Sequence, residues 1–194
     1  MAGVTATNLL GGAGQLYKGI LGAVEPLDTA VAADPDPLVW SDLGGTDGGV
    51  TKNVDRSFFD LRADQIKDPA GTRETSRTVT ISTNLAEITL ENLALAWGLA
   101  PTDITSGGTG GTAWKAVELV GDDSGVEPNY HALLFRGWAP NRKRRLVIAR
   151  KVLSVAAVGT AYKKDEQTFI PVQFKLFYVS PTVRPLRVVE SAAS

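Results

Sequence analysis

Few residues in this chain have the types and spacing that chemistry needs. Asp60 and Asp64 form a carboxylate pair of the kind that acid–base work on a glycosidic bond uses. On a strand, residues four apart lie ~13 Å from each other, too far to share one substrate bond. Asp122 and Asp123 stand in a glycine-containing turn, but the ligand rhythm of a calcium loop is missing around them. A solvated turn accounts for them. The GGTGG run from Gly107 to Gly111 has a phosphate-loop composition without the Gly-Lys-Ser/Thr that must follow it. The next element, from Trp114, is a strand rather than a helix. His131 is the only histidine and there is no cysteine. Material for a nucleophile–base pair, a disulfide framework or a cysteine-type zinc site is therefore lacking. His131, beside Tyr130, reads as a strand residue with an ordinary hydrogen-bond partner. No catalytic residue, metal ligand or cofactor site is expected, and the chain does not read as an enzyme.

The strongest charge feature is basic. Arg136, Arg142, Lys143, Arg144, Arg145, Arg150 and Lys151 follow one another without an intervening acid. Such a run suits nucleic acid or a protein partner. Aromatic residues for base stacking are sparse, Trp138 being the one inside the run. Residues 1–91 hold 13 acids and 7 bases, whereas residues 92–194 hold 8 acids and 13 bases. Oppositely charged halves favour contact between copies of the chain over nucleic acid.

The elements that must position these residues centre on Glu74 to Ala100. Val79, Ile81 and Leu85 alternate with Thr78, Thr80 and Ser82, the period of a half-buried strand. Leu90, Leu93, Ala94 and Trp97 then recur at helical spacing. Thr89 suits the N-cap, Glu91 the first turn and Gly98 the C-terminal cap, and Pro101 prevents resumption. Upstream, Gln15 to Leu21 reads as a short strand and Glu25 to Pro37 as an acidic loop. Leu38 to Trp40 reads as a strand start that leads through the glycine-rich Ser41–Gly49 turn into Val50–Val54, forming a hairpin. Residues 57–66 alternate Phe59, Leu61 and Ala63 with Asp60, Arg62 and Asp64. They are expected to pair antiparallel with 73–85 across the Asp68–Gly71 turn, with one apolar and one polar face. Downstream, Ser106–Thr112 reads as a flexible linker. Strands follow at 114–120, 130–138, 144–155 and 168–179, with a turn at Pro140–Lys143.

About eight strands at regular spacing and one helix imply a mainly β fold, an antiparallel β-sandwich or barrel with one flanking α-helix. The 194 residues fit a single domain with an N-terminal arm near 1–14 and a C-terminal arm near 181–194. The net charge of -1 makes no global demand for nucleic acid or an anionic membrane. A basic, apolar leader is not evident, and no apolar run approaches the ~18 residues of a membrane helix. The expectation is a soluble protein made in a cytoplasm.

In this order the pieces resemble the major tail tube proteins of long, non-contractile-tailed bacteriophages, especially those infecting actinobacteria. The resembling stretches are GQLYKG (Gly14–Gly19), the acidic loop, LVWSDLGGTDGGVT (Leu38–Thr51), RTVTISTNLAEITLENLALAWG (Arg77–Gly98) and QTFIPVQFKLFYVS (Gln167–Ser180). The resemblance implies a structural virion protein, assembled in the host cytoplasm and carried in the tail. It implies six-membered rings stacked into a tube through which double-stranded DNA passes unbound, with no membrane involved. Terminal arms and a long loop bridge the subunits. A tape measure protein, a tail-tip initiator and a tail terminator would be the partners besides the chain itself. A terminator, another ring-forming tube component, or a free-standing β-sandwich module for carbohydrate or RNA are the alternatives.

A DNA conduit must not grip its cargo. The hydroxyl-rich face carrying Asp60, Arg62, Asp64, Glu74, Ser76, Thr78 and Thr80 is therefore the expected bore lining. Asp42, Asp47, Asp122 and Asp123, set against Arg142, Lys143, Arg144 and Arg145, are the expected subunit or ring contacts, because head-to-tail assembly needs two different complementary patches.

Overall fold

Period-two alternation becomes strand along most of the chain. In a computed structural model, residues 12–119 and 127–191 are described. They form β1 (Gln15–Ile20), β2 (Ser41–Asp42), β3 (Thr46–Leu61), β4 (Gly71–Leu85), α1 (Leu90–Ala96), β5 (Ile104–Gly107), β6 (Trp114–Val117), β7 (His131–Ala139), β8 (Lys143–Ser154), β9 (Ile170–Leu176) and β10 (Leu186–Glu190). The main sheet runs β2-β1-β7-β8-β9-β4-β3, with β10 also on β8, and β5-β6 form a separate ribbon. Every pairing is antiparallel.

β8 folds the sheet on itself. One side of it pairs with β7; the other pairs with β10 along Arg145–Ala149 and with β9 along Val152–Ser154. A strand that changes partner partway turns a corner between layers. Leu16, Leu133 and Ala149 thereby meet Ile81, Val172 and Phe174 in one core, under α1. The opposite face of β1, β7 and β8 is also covered. There Tyr17, Leu134 and Ile148 pack beneath Val31 and Trp40, and the Trp40 indole N–H donates to the Val24 carbonyl at 2.9 Å. This mainly β fold with one helix agrees with the expected class. Among the described residues, no helix is long and apolar enough to cross a membrane.

The helix forms where its caps place it. Thr89 Oγ1 accepts from the Asn92 N–H at 3.1 Å, and Gly98 adopts φ +74°. Its buried face differs from the expected one. Asn92, Ala94, Leu95 and Ala96 are buried, while Trp97 is exposed. The Asn92 amide is satisfied by the carbonyls of Leu43 and Glu87 at 3.0 and 2.9 Å, which is why a polar residue can sit inside.

Several local expectations are corrected. Leu38–Trp40 is not a strand: the N–H groups of Leu38, Val39 and Trp40 all turn back onto Asp36. The Ser41–Gly49 region is not a hairpin turn. Ser41 and Asp42 pair with β1, and Thr46 already begins β3, which runs unbroken to Leu61. Gly48 and Gly49, at φ +70° and +76°, are a bulge inside that strand, where positive φ suits glycine. The 106–112 linker is instead part of the β5–β6 ribbon and a short 3-10 turn. Residues 181–194, read above as an arm, include β10.

Core and hairpin differ in what a truncation removes. Phe174 is fully buried, and Phe58 is 56% exposed. Phe174→Ala is expected to cost about 3–5 kcal/mol in urea unfolding, and Phe58→Ala less than about 0.5 kcal/mol.

Candidate functional site

The β3–β4 hairpin leaves the body of the molecule. β4 pairs with β9 only along Thr80–Leu85, whereas its pairing with β3 continues to Gly71. The outer half therefore projects ~25 Å as two strands alone. β3 is the last strand of the sheet, so among the described residues its whole outer edge is unpaired, and so is the β4 edge from Gly71 to Val79, which residues 176–185 flank across a cleft. Residues 51–70 are all exposed, among them Val54, Phe58, Phe59 and Leu61. The apolar face expected for this hairpin thus meets the core only near Val79, Ile81 and Leu85. Two strands without a covered face are marginal by themselves in water.

A register break splits the expected bore lining. Between the pairs Ser57↔Ser76 and Phe58↔Glu74, β3 advances one residue while β4 advances two, which makes Thr75 a bulge. Ser57 and Phe58 point to opposite faces, so Glu74 crosses from the Ser76 side to the Arg77 side. The Arg77–Glu74 ion pair at 3.6 Å records this. Ser76, Thr78 and Thr80 do share one face, with Thr51, Asn53, Asp55 and Ser57 on β3 and Gln173 and Lys175 on β9. Asp60, opposite Thr72, goes with Glu74 to the other face. Arg62 and Asp64 lie beyond the end of β3. The hydroxyl face is consequently near neutral: Asp47 and Asp55 are balanced by Arg73, which the bulge turns to this side opposite Phe59, and by Lys175.

The expected contact residues are dispersed. Asp42 caps the Gly44 N–H at 2.9 Å, and Asp47 begins β3 beside the glycine bulge. Asp122 and Asp123 lie outside the described residues. Arg142 is exposed at the β7–β8 turn, where Asn141 and Arg142 both adopt φ 59°. Lys143 starts β8. Arg144 stacks over the Trp138 ring at 3.6 Å, and Arg145 pairs with Glu190 at 2.7 Å. Arg136 and Arg150 are also engaged, with Asp34 and Glu25. Much of the basic run therefore serves the chain's own acids.

Two internal polar clusters fix the body against which the hairpin stands. Glu25 accepts from Arg150 and Arg187, which ties the β1–β2 segment to β8 and β10. The Arg150 contact holds its carboxyl below the ordinary value against the opposing effect of burial, and Arg187 adds to the shift. The second cluster was not legible in the pattern. Lys18 and His131 sit on neighbouring cross-strand rows of β1 and β7, facing the core side. Lys18 Nζ reaches the Glu91 carbonyl at 3.4 Å, and the His131 ring contacts the Asn129 amide at 3.3 Å. Burial lowers the pKa of both. The Lys18 charge lowers His131 further, while Glu91 opposes the shift at Lys18. Among the described residues no group of three or more His, Asp or Glu side chains is placed to hold a metal ion.

Because His131 is the only histidine, it isolates one pH window. Below about pH 6.5 the unfolded chain takes up a proton that folded His131 resists. Stability is therefore full above that pH and falls as the pH drops toward the lowered folded value. Glu25 and Glu91 are shifted down and act at more acidic pH. His131→Gln is expected to flatten the stability–pH curve in the window that opens just below about pH 6.5. Lys18→Met should reduce the slope, since it removes one cause of the shift. An unchanged slope in His131→Gln would contradict this assignment.

No protein-family model matches the chain, and no curated protein matches it.

Proposed function

We propose that this chain is a structural subunit that polymerises, head to tail in rings and ring on ring, into the tail tube of a long, non-contractile-tailed bacteriophage. The observation that carries the reading is the projecting hairpin with two unpaired edges and bare apolar side chains. The β3 edge and the outer β4 edge differ, so pairing one to the other between copies is heterologous and can close a ring. Such pairing satisfies the free N–H and C=O groups of both edges and brings a neighbouring strand beside Val54 and Phe58 on one face and Phe59 and Leu61 on the other. The near-neutral face of Ser76, Thr78 and Thr80 suits a bore, because its acids and bases balance before the phosphates of passing DNA. The resemblance in sequence adds the six-membered ring and the partners at the tube's two ends. The virion tail is the corresponding location, and no catalysis is part of the role.

Phe58→Asp combined with Phe59→Asp tests this reading. Both side chains are exposed in the single subunit, so its thermal unfolding should be nearly unchanged. Sedimentation at high concentration should show large assemblies for the parent and monomer for the variant. A variant that assembles as the parent does would overturn the role given to the hairpin.

A further inference from the structure

The side of the hairpin away from the hydroxyl face carries an arrangement that the single chain leaves uncompensated. Arg56 stands directly opposite Arg77 in the β3–β4 register. Like charges in directly opposed cross-strand positions repel. Arg184, from the segment before β10, joins them around one cleft of about 530 Å³, whose floor is Val54, Val79 and Pro185 and whose lining holds no acid. Arg77 has Glu74 at 3.6 Å on its flank, while the Arg56 and Arg184 side chains have no ion-pair partner among the described residues. The cleft is also held in shape from behind. Arg150, bound to Glu25, donates to the Arg184 carbonyl at 2.6 Å.

We propose that this three-arginine cleft is a receptor for a carboxylate-bearing segment of a second copy of the chain, namely the stretch from Glu118 to Glu127. This rests on the self-assembly reading above. The choice of occupant follows from charge. Elsewhere many carboxylates are engaged, Glu25, Asp34, Glu91 and Glu190 in ion pairs and Asp36 and Asp42 on backbone N–H groups. Of those without a partner among the described residues, Asp55, Asp60, Asp64, Asp68 and Asp165 are interleaved with Arg56, Arg62, Lys67 and Lys164, and Asp47 stands alone. Glu118 and Glu127 are exposed and have no ion pair among the described residues. The sequence between them adds Asp122 and Asp123 and no base. Leu119 and Val126 alongside the acids match an apolar floor beneath guanidinium groups, because Arg takes carboxylates while its stem covers apolar surface. Anions from a neighbour would relieve the Arg56–Arg77 repulsion only on assembly, so the contact favours association over the free subunit.

A labelled synthetic peptide of residues 117–128 tests the site on the full-length protein by fluorescence anisotropy, under conditions where the subunit is dispersed. Saturable binding is expected, weakened by added salt. It should fall at least tenfold in Arg56→Ala combined with Arg77→Ala, and again in Arg184→Ala. All three arginines are exposed, and thermal unfolding of each variant checks that the fold persists. No peptide binding, binding indifferent to the three arginines, or capture of duplex DNA by them in place of the peptide would overturn the proposal. Sedimentation of the parent protein reads the assembly claim separately. Assembly without peptide binding refutes the cleft alone, and arginine-dependent binding by a chain that never assembles supports the cleft while refuting the tube.

Discussion

Backbone N–H and C=O groups need partners, and the β3–β4 hairpin has more of them than one chain supplies. Its inner half is paired on both sides of β4, through β3 and β9, and Val79, Ile81 and Leu85 anchor it in the core. Its outer half has open edges on both sides and no core beneath it. Water can satisfy exposed edges, but it cannot cover Val54, Phe58, Phe59 and Leu61. All four are only about half exposed, so burying what remains contributes about 3–6 kcal/mol. Association costs about 4–15 kcal/mol in lost freedom and ordering. The two ranges overlap, so assembly of this kind depends on concentration or on a nucleus. On the proposed assembly, that balance suits a subunit made in quantity without polymerising at random.

The rest of the fold holds the hairpin and sets what each of its faces presents. β8 turns the sheet through its change of partners, so both layers share one core. Glu25, between Arg150 and Arg187, locks the strap over the back of that sheet to β10 and so places Arg184 beside the hairpin. A single extra residue, Thr75, then sorts the charges. Without it Glu74 would face the same way as Ser76 and Thr78. With it Glu74 sits by Arg77 while Arg73 turns to the hydroxyl face, whose acids and bases then balance, and Arg56 and Arg77 face each other on the other side.

Much of this was legible in the residues, and the misses have physical reasons. Strong alternation gave β4 and β9, and the capping residues Thr89 and Gly98 placed α1 correctly because caps act locally. The buried face of α1 was misjudged, since Trp97 is apolar but outside, and Asn92 is polar but satisfied inside by carbonyls distant in sequence. Leu38–Trp40 has strand-like composition, yet Asp36 folds it into a turn. The bulges at Gly48–Gly49 and Thr75 depend on register, which period-two counting assumes rather than tests. Hence the expected lining set failed to stay on one face, although Ser76, Thr78 and Thr80 kept together. The Lys18–His131 cluster is a long-range pairing of β1 with β7 and had no local signal.

The central claim is that the open-edged hairpin makes this subunit self-assembling, and electron microscopy of the concentrated, purified chain tests it most directly. Hollow tubes with a regular ring repeat, accompanied by a steep rise in light scattering with concentration, are the expected result. A chain that stays monomeric at every concentration, and still does so when sheared tube fragments or tail-initiation proteins are offered as seeds, would contradict the account.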